Sequence, residues 1–234
     1  MTRTELKALV TSLLDNYELD DSVFEAFLDT AQAIREGHRP WVALRAEDST
    51  QSISTSNTFE TEKSLPTDFR KWYTRFPVVL TDANGNPMQY LAEVPIHMKT
   101  AYKDEPSRFY CNYRTSKLYL CGKPGTSLTV RQYYIRRATK ISAAAANTWE
   151  LDPNDEYTKI LGFDVAALWK RGIDYDVISN PQGDAHAAAA AALFKQMEEW
   201  DAELQESALQ GQTYGNPGTY FGADGLSGRL SGLE

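Results

Sequence analysis

The side chains that most often carry chemistry are few and scattered. His38, His97 and His186 lie in different segments, and no His-Glu-x-x-His pattern sets two imidazoles on one helix face for zinc. No Gly-x-Ser-x-Gly lifts a serine onto a strand-to-helix turn, and no glycine-rich dinucleotide fingerprint follows a strand. Cys121-Gly122-Lys123-Pro124-Gly125-Thr126-Ser127 has the residue types of a phosphate loop. Its lysine precedes the second glycine and no strand–loop–helix context surrounds it, so it reads as a turn between strands. Cys111 and Cys121 are too few for a disulfide framework or a cysteine-only zinc site. In a hairpin they are neighbours in one register and on opposite faces after a slip of one residue, and free packed thiols are expected. No catalytic, cofactor or metal constellation can be named, so the chain reads as a non-enzyme with no cofactor.

The charged groups say more. Glu198, Glu199, Asp201, Glu203 and Glu206 form an acidic run with Lys195 the only nearby base. On a helix these side chains point around the axis, which makes a poor metal site. They form a solvated face, or a negative wall lining a lumen or facing a neighbour. Arg131, Arg136, Arg137 and Lys140 are interleaved with Tyr133 and Tyr134. That pattern suits single-stranded nucleic acid, or the acidic helices of a neighbouring copy, and the net charge of −8 favours the second. Residues 1–40 hold 4 Lys/Arg against 8 Asp/Glu, residues 41–141 hold 15 against 9, and residues 142–234 hold 5 against 15. A basic middle between acidic ends is compensated within one fold, or drives head-to-tail contact between copies; unlike patches of that kind generate rings.

These groups need elements to position them, and the periodicity supplies helices at both ends and strands between. Thr2-Arg3-Thr4-Glu5 is a capping box. Leu6, Leu9, Val10, Leu13, Leu14 and Tyr17 predict a helix over 3–17, and Val23, Phe24, Phe27, Leu28, Ala31 and Ile34 a second over 22–36. From Trp41 the texture is strand-like. Phe76–Thr81 and Met88–Val94 flank the Asn84-Gly85 turn, Arg108–Cys121 turns near Thr115-Ser116, and Leu128–Ile135 alternates. Asp152-Pro153 restarts helix, and a longer helix is expected over 185–209. In the final segment, 7 of the 14 glycines fall in residues 211–234. Tyr214, Tyr220, Phe221, Leu226 and Leu230 are scattered among them as anchors of an arm that orders on a partner. The 234 residues suffice for one elaborate domain or two small ones, with 42% hydrophobic and 24% charged residues. No run approaches the roughly 20 apolar residues of a membrane span, and the first residues do not form an apolar signal core, so work in the cytoplasm is expected.

Several motifs occur in a recognisable order. Leu65-Pro66-Thr67-Asp68-Phe69 opens the sheet region, and the hairpin Val79–Met88 follows. Lys117-Leu118-Tyr119-Leu120 and the strand Leu128–Thr139 come next, and Trp149-Glu150-Leu151-Asp152-Pro153 leads into an alanine- and leucine-rich helix. Over residues 1–209 this order resembles the head–tail adaptor proteins of phages, also called connector or head-completion proteins, among them the tail tubular protein A of short-tailed phages. The resemblance implies an α+β fold in which N- and C-terminal helices form a helical bundle with an inserted antiparallel β domain. The segments would be an N-terminal helical hairpin at 1–40, the β domain at 41–141 and helices completing the bundle at 142–209; the flexible Gly-rich docking arm at 210–234 is read from its composition and is less typical of the family. It implies a structural virion protein at the head–tail interface, assembled in the host cytoplasm. A ring, commonly of twelve copies, would sit between portal protein and tail or next connector protein, and double-stranded DNA would pass through without tight binding. A different class stays open on the residues themselves: a tail or baseplate module that binds a carbohydrate receptor through Trp41, Trp72, Tyr90, Tyr110 and Tyr113.

Overall fold

A computed structural model describes residues 1–54, 61–122, 125–152, 154–173 and 181–215. They fall into two compact units, one made of 1–44 with 138–215, the other of 45–137.

The first unit is helical. α1 (Arg3–Leu13) begins on the expected capping box: the Thr2 N–H donates to Glu5 Oε2 at 2.7 Å, and the Glu5 N–H to Thr2 Oγ1 at 3.4 Å. The helix stops four residues earlier than its periodicity suggests, because Asp15 and Asn16 adopt left-handed φ of 57° and 67°. Short polar side chains tolerate that conformation, and Asn16 returns its N–H to the Thr11 carbonyl. α2 (Asp21–Gly37) buries Phe24, Leu28 and Ala31 and then Gln32 and Glu36, while Ile34 is exposed. The polar pair explains the departure from the apolar stripe. Gln32 donates to Glu36 Oε1 and to the Thr139 carbonyl and accepts from the Ile141 N–H, and the Trp149 indole donates to Glu36. This network fixes the returning chain against α2, where apolar side chains would leave buried backbone groups unpaired.

α3 (Lys159–Ile173) packs against α1, α2 and α4 (Pro181–Gly215). Its close approach to α1 depends on Gly162, where an added Cβ would stand 2.7 Å from a Leu9 methyl. The helix starts at Lys159, later than Asp152-Pro153 suggests. Asp152 still caps it from a distance: its buried carboxylate accepts from the N–H groups of Glu156, Tyr157 and Thr158 at 3.0, 2.7 and 2.5 Å, and from the Thr158 hydroxyl. α4 extends beyond the expected 185–209 at both ends, so residues 210–215 are helical.

The second unit is one curled sheet. Its strands are β1 (Arg45–Ile53), β2 (Thr61–Ser64), β3 (Phe69–Trp72), β4 (Val78–Thr81), β5 (Pro87–Glu93), β6 (Arg108–Asn112), β7 (Lys117–Leu120) and β8 (Leu128–Arg136). They follow the order β1-β8-β4-β5-β6-β7-β2, with β3 continuing along the β4 side of β8. All neighbours are antiparallel except β5 and β6. The predicted hairpins are present. Gly85 takes φ of 83° at the tip of β4–β5, and Ser116 takes 54° at the tip of β6–β7.

The two ends of the sheet meet through side chains. Gln51 of β1 donates to the Ser64 carbonyl at 2.7 Å and accepts the Ser64 N–H at 2.9 Å. Its carboxamide stands in for a strand peptide group across the seam, which covers an otherwise open edge. The enclosed core includes Ile53, Leu80, Leu91, Phe109, Leu118 and Val130. β8 supplies Leu128, Val130, Gln132 and Tyr134 to the inside, as its alternation predicts.

Candidate interaction surfaces

Three surfaces take the charged and aromatic residues that the sequence singles out. The first is the acidic flank of α4. Ala190, Phe194, Met197 and Asp201 are buried at helical spacing and anchor the helix. Asp201, expected in the acidic wall, therefore stands on the wrong side for it. It is 2% exposed, accepts the Val42 N–H at 2.9 Å and pairs with Arg39 at 3.2 Å. A carboxylate at this depth is held by donors, not displayed to a partner. Glu198 is half-buried and lies 2.9 Å from His38 Nε2. The exposed remainder is Glu199, Glu203 and Glu206. These recur at i, i+4 and i+7 and so form one stripe roughly opposite the anchoring face.

The second surface is the expected basic patch, which the structure divides. Arg131 and Arg136 lie on β8, and Arg137 follows it with its N–H on the Asp68 carbonyl. Lys140 belongs to the helical unit, where it pairs with Asp29. Its ammonium thus serves to hold the returning chain on α2.

The third surface is an outer sheet face that charge and spacing alone did not single out. Val79 of β4 is flanked by Arg131 of β8 and Tyr90 of β5 in one cross-strand row. Glu47 and Tyr133 pair in the next row, and Arg45, Ile135 and Lys71 in the one after. The β3–β4 connection lays more aromatics there. The Arg45 guanidinium lies 5.4 Å from the centre of the Tyr73 ring, Tyr73 meets Tyr133 edge-on, Arg75 lies 5.5 Å over Phe76, and Phe76 meets Tyr90. Arg131 bonds to Tyr133 and pairs with Glu47 at 3.0 Å. Burial raises the Tyr73 and Tyr133 hydroxyl pKa values above the ordinary phenol range, so both remain neutral. The available signal was composition: Trp72-Tyr73-Thr74-Arg75-Phe76 is dense in aromatics and arginine but has no period.

An open groove of about 620 Å³ lies at the seam, walled by Glu47, Asp48, Ser64, Asp68 and Tyr134. The Tyr134 hydroxyl donates to Asp68 at 2.9 Å there. Of the aromatics considered for a sugar platform, Trp72 and Tyr113 come together against Phe69 and the other three stand apart from them. Trp41 is buried in the helical unit, Tyr110 is buried against Tyr119, and Trp72 packs on the sheet core, leaving Tyr90 and Tyr113 exposed. Cys111 lies in the sheet core opposite Leu118, while Cys121 joins Val94 and Tyr110 on the other side. Both are free thiols, and burial raises the Cys111 pKa far above the ordinary thiol value. Tyr214 lies in the last turn of α4, and Tyr220, Phe221, Leu226 and Leu230 fall outside the described residues. Among the described residues no group of three His, Cys, Asp or Glu side chains could hold a metal ion, and no helix is long and apolar enough to cross a membrane.

The family model described as SU10 adaptor protein matches residues 1–219, and the chain belongs to that family: it is a structural adaptor protein of phage particles. A search among curated proteins finds no match.

Proposed function

We propose that copies of this chain form the adaptor ring between portal and tail, extend the DNA channel and provide the surface on which the tail attaches. The observation that carries this is membership of the adaptor family over residues 1–219. The charge distribution supports it. A ring needs contacts between unlike patches, and the chain has a basic middle between acidic ends. A DNA conduit must also release its cargo, and a net charge of −8 avoids the phosphate contacts that would make binding tight and salt-sensitive. Arg131, Arg136 and Arg137 serve contacts between subunits, and the acidic flank of α4 is the negative surface of the ring. The segment from Tyr214 through Tyr220, Phe221, Leu226 and Leu230 docks on the portal.

The test is native mass measurement of the purified chain mixed with portal protein, alongside cryo-microscopy of intact particles. A complex with twelve adaptor chains is expected. Absence of the chain from the vertex through which DNA leaves would overturn the reading.

A further inference from the structure

We infer that the outer face of β1, β8, β4 and β5 docks a second copy of this chain, and that it receives the stripe Glu199, Glu203 and Glu206 of that copy's α4. The inference rests on the adaptor reading for its setting in a ring, but the two surfaces are defined by their own residues.

The sheet face has the composition of an interface core. Arginine, tyrosine, phenylalanine and methionine are enriched at such sites, and lysine and glutamate are depleted. Here Arg45, Arg75 and Arg131 are interleaved with Phe76, Tyr90 and Tyr133, Met88 follows at the β5 irregularity, Lys71 stands in the Arg45 row, and the Glu47 carboxylate is already paired with Arg131. Met88 is 60% exposed, Phe76 39% and Tyr90 37%. Val79 and Ile135 in the middle of the rows are buried, so the apolar area open to water is that of Met88, Phe76 and Tyr90, and beside Arg75 it calls for a partner that covers the first and neutralises the second.

The α4 stripe meets both demands. Among the described contacts, Glu199, Glu203 and Glu206 have no cationic partner, and Leu204, 36% exposed, stands beside them. Three carboxylates at i, i+4 and i+7 span about 10 Å along a helix. The Arg45 and Arg131 rows of the face are four β8 residues apart, about 13 Å. The two charge arrays are therefore commensurate. The face and the stripe are different patches of one chain, so each copy offers one of each, and the contact is heterologous as ring closure requires.

Nucleic acid fits the face less well. A duplex phosphate backbone would leave the exposed Met88 and Phe76 without apolar cover, whereas a helix flank that carries Leu204 beside its carboxylates supplies it.

The experiment is sedimentation velocity on the full chain over a concentration series, at 50 mM and 500 mM salt. Self-association is expected at low salt and is weakened at least about ten-fold at high salt. Arg75→Glu and Glu203→Arg should each weaken it about ten-fold, and the double variant, in which the charges are exchanged, should return to within about three-fold of the original. Met88→Ser, which changes no charge, should also weaken it, and circular dichroism checks that each variant is folded. A chain that stays monomeric at every concentration overturns the inference, as do single-variant losses that the double variant does not recover. Tight binding of duplex DNA that Arg75→Glu abolishes would assign the face to phosphate and overturn it as well. The adaptor reading fails separately: a chain found at the particle vertex whose purified copies never associate through this face refutes only the docking.

Discussion

Asp201 offers a direct test of the reasoning from burial. Sequence spacing groups it with Glu198, Glu199, Glu203 and Glu206, yet in the structure it accepts the Val42 N–H at 2.9 Å, the Gln205 amide at 2.8 Å and the Arg39 guanidinium at 3.2 Å. Asp201→Ala leaves the Val42 N–H without an acceptor, which costs about 1–3 kcal/mol. Arg39 keeps the Glu198 carbonyl at 3.1 Å and is 25% exposed, so its charge is rehydrated at small cost. With the Arg39 and Gln205 bonds also lost, at about 0.5 kcal/mol each, the total is about 2–4 kcal/mol. Asp201→Asn retains an acceptor for Val42 and loses only the charge, about 1 kcal/mol, and Glu203→Ala, at an exposed site, stays within about 0.5 kcal/mol. Urea unfolding followed by tryptophan fluorescence suits the measurement, because Trp41, Trp149, Trp169 and Trp200 all lie in the helical unit and only Trp72 lies in the sheet. With a slope of about 1–3 kcal/mol per molar urea, Asp201→Ala should lower the helical unit's midpoint by about 1–2 M. A midpoint unchanged within error, or one lowered equally by Glu203→Ala, would show that Asp201 is not a buried cap and refute the division of α4 into an anchored and a free side.

Two glycines should rank by what an added methyl would meet. Gly162→Ala meets the end of the Leu9 side chain, which can move, so overpacking and the better helix propensity of alanine leave a loss of about 1 kcal/mol, relieved by adding Leu9→Ala. Gly122→Ala meets the Pro106 backbone nitrogen at 2.5 Å, which cannot move, and should destabilise the sheet unit by about 3 kcal/mol; unfolding midpoints in the reverse order would contradict this. Asp82 is held below the ordinary aspartate pKa, first by the Asn86 side-chain amide and then by the Asn86 N–H, in the β4–β5 turn. Its folded pKa lies below the unfolded one, so its stabilising contribution is complete above about pH 4 and is lost as pH falls through the folded value. A carboxyl titration by NMR should show a midpoint below that of a free aspartate, rising in Asn86→Ala; an unshifted midpoint would disprove the bonded turn.

Period and turn chemistry made the helices and hairpins legible, and they failed where a side chain replaced a backbone partner. The capping box at Thr2, the tips at Gly85 and Ser116 and the inward set on β8 are local patterns, and each is present. The late start of α3 was not legible, because Asp152 caps across a loop of six residues and not across the usual three. The closing of the sheet was hidden for a similar reason. Gln51 lies in a stretch rich in Ser and Thr, its carboxamide completes a ladder with Ser64, and no rule of alternation marks a side chain that acts as backbone. The surfaces were the least legible. Asp201 and Glu203 are both carboxylates two positions apart, and only the burial of Phe194 and Met197 shows which of them turns inward.

That difference of two positions bears on how such a protein can assemble. A helix anchored by Ala190, Phe194, Met197 and Asp201 has its rotation fixed, so the direction of Glu199, Glu203 and Glu206 is set by the core and not by the solvent. Charges held in a fixed direction lose little conformational freedom on meeting a partner, and unlike charges that match attract at a distance while like ones repel. The sheet face is equally constrained, since its arginines are braced on the rings of Tyr73 and Phe76 and on Glu47. A stripe fixed within the helical unit and a face fixed within the sheet unit favour one pairing geometry where the two meet across copies. Reversing the charge on one patch should therefore lower the extent of self-association seen in sedimentation velocity, whereas loosening the anchor, as in Asp201→Ala, should broaden the distribution of associated species.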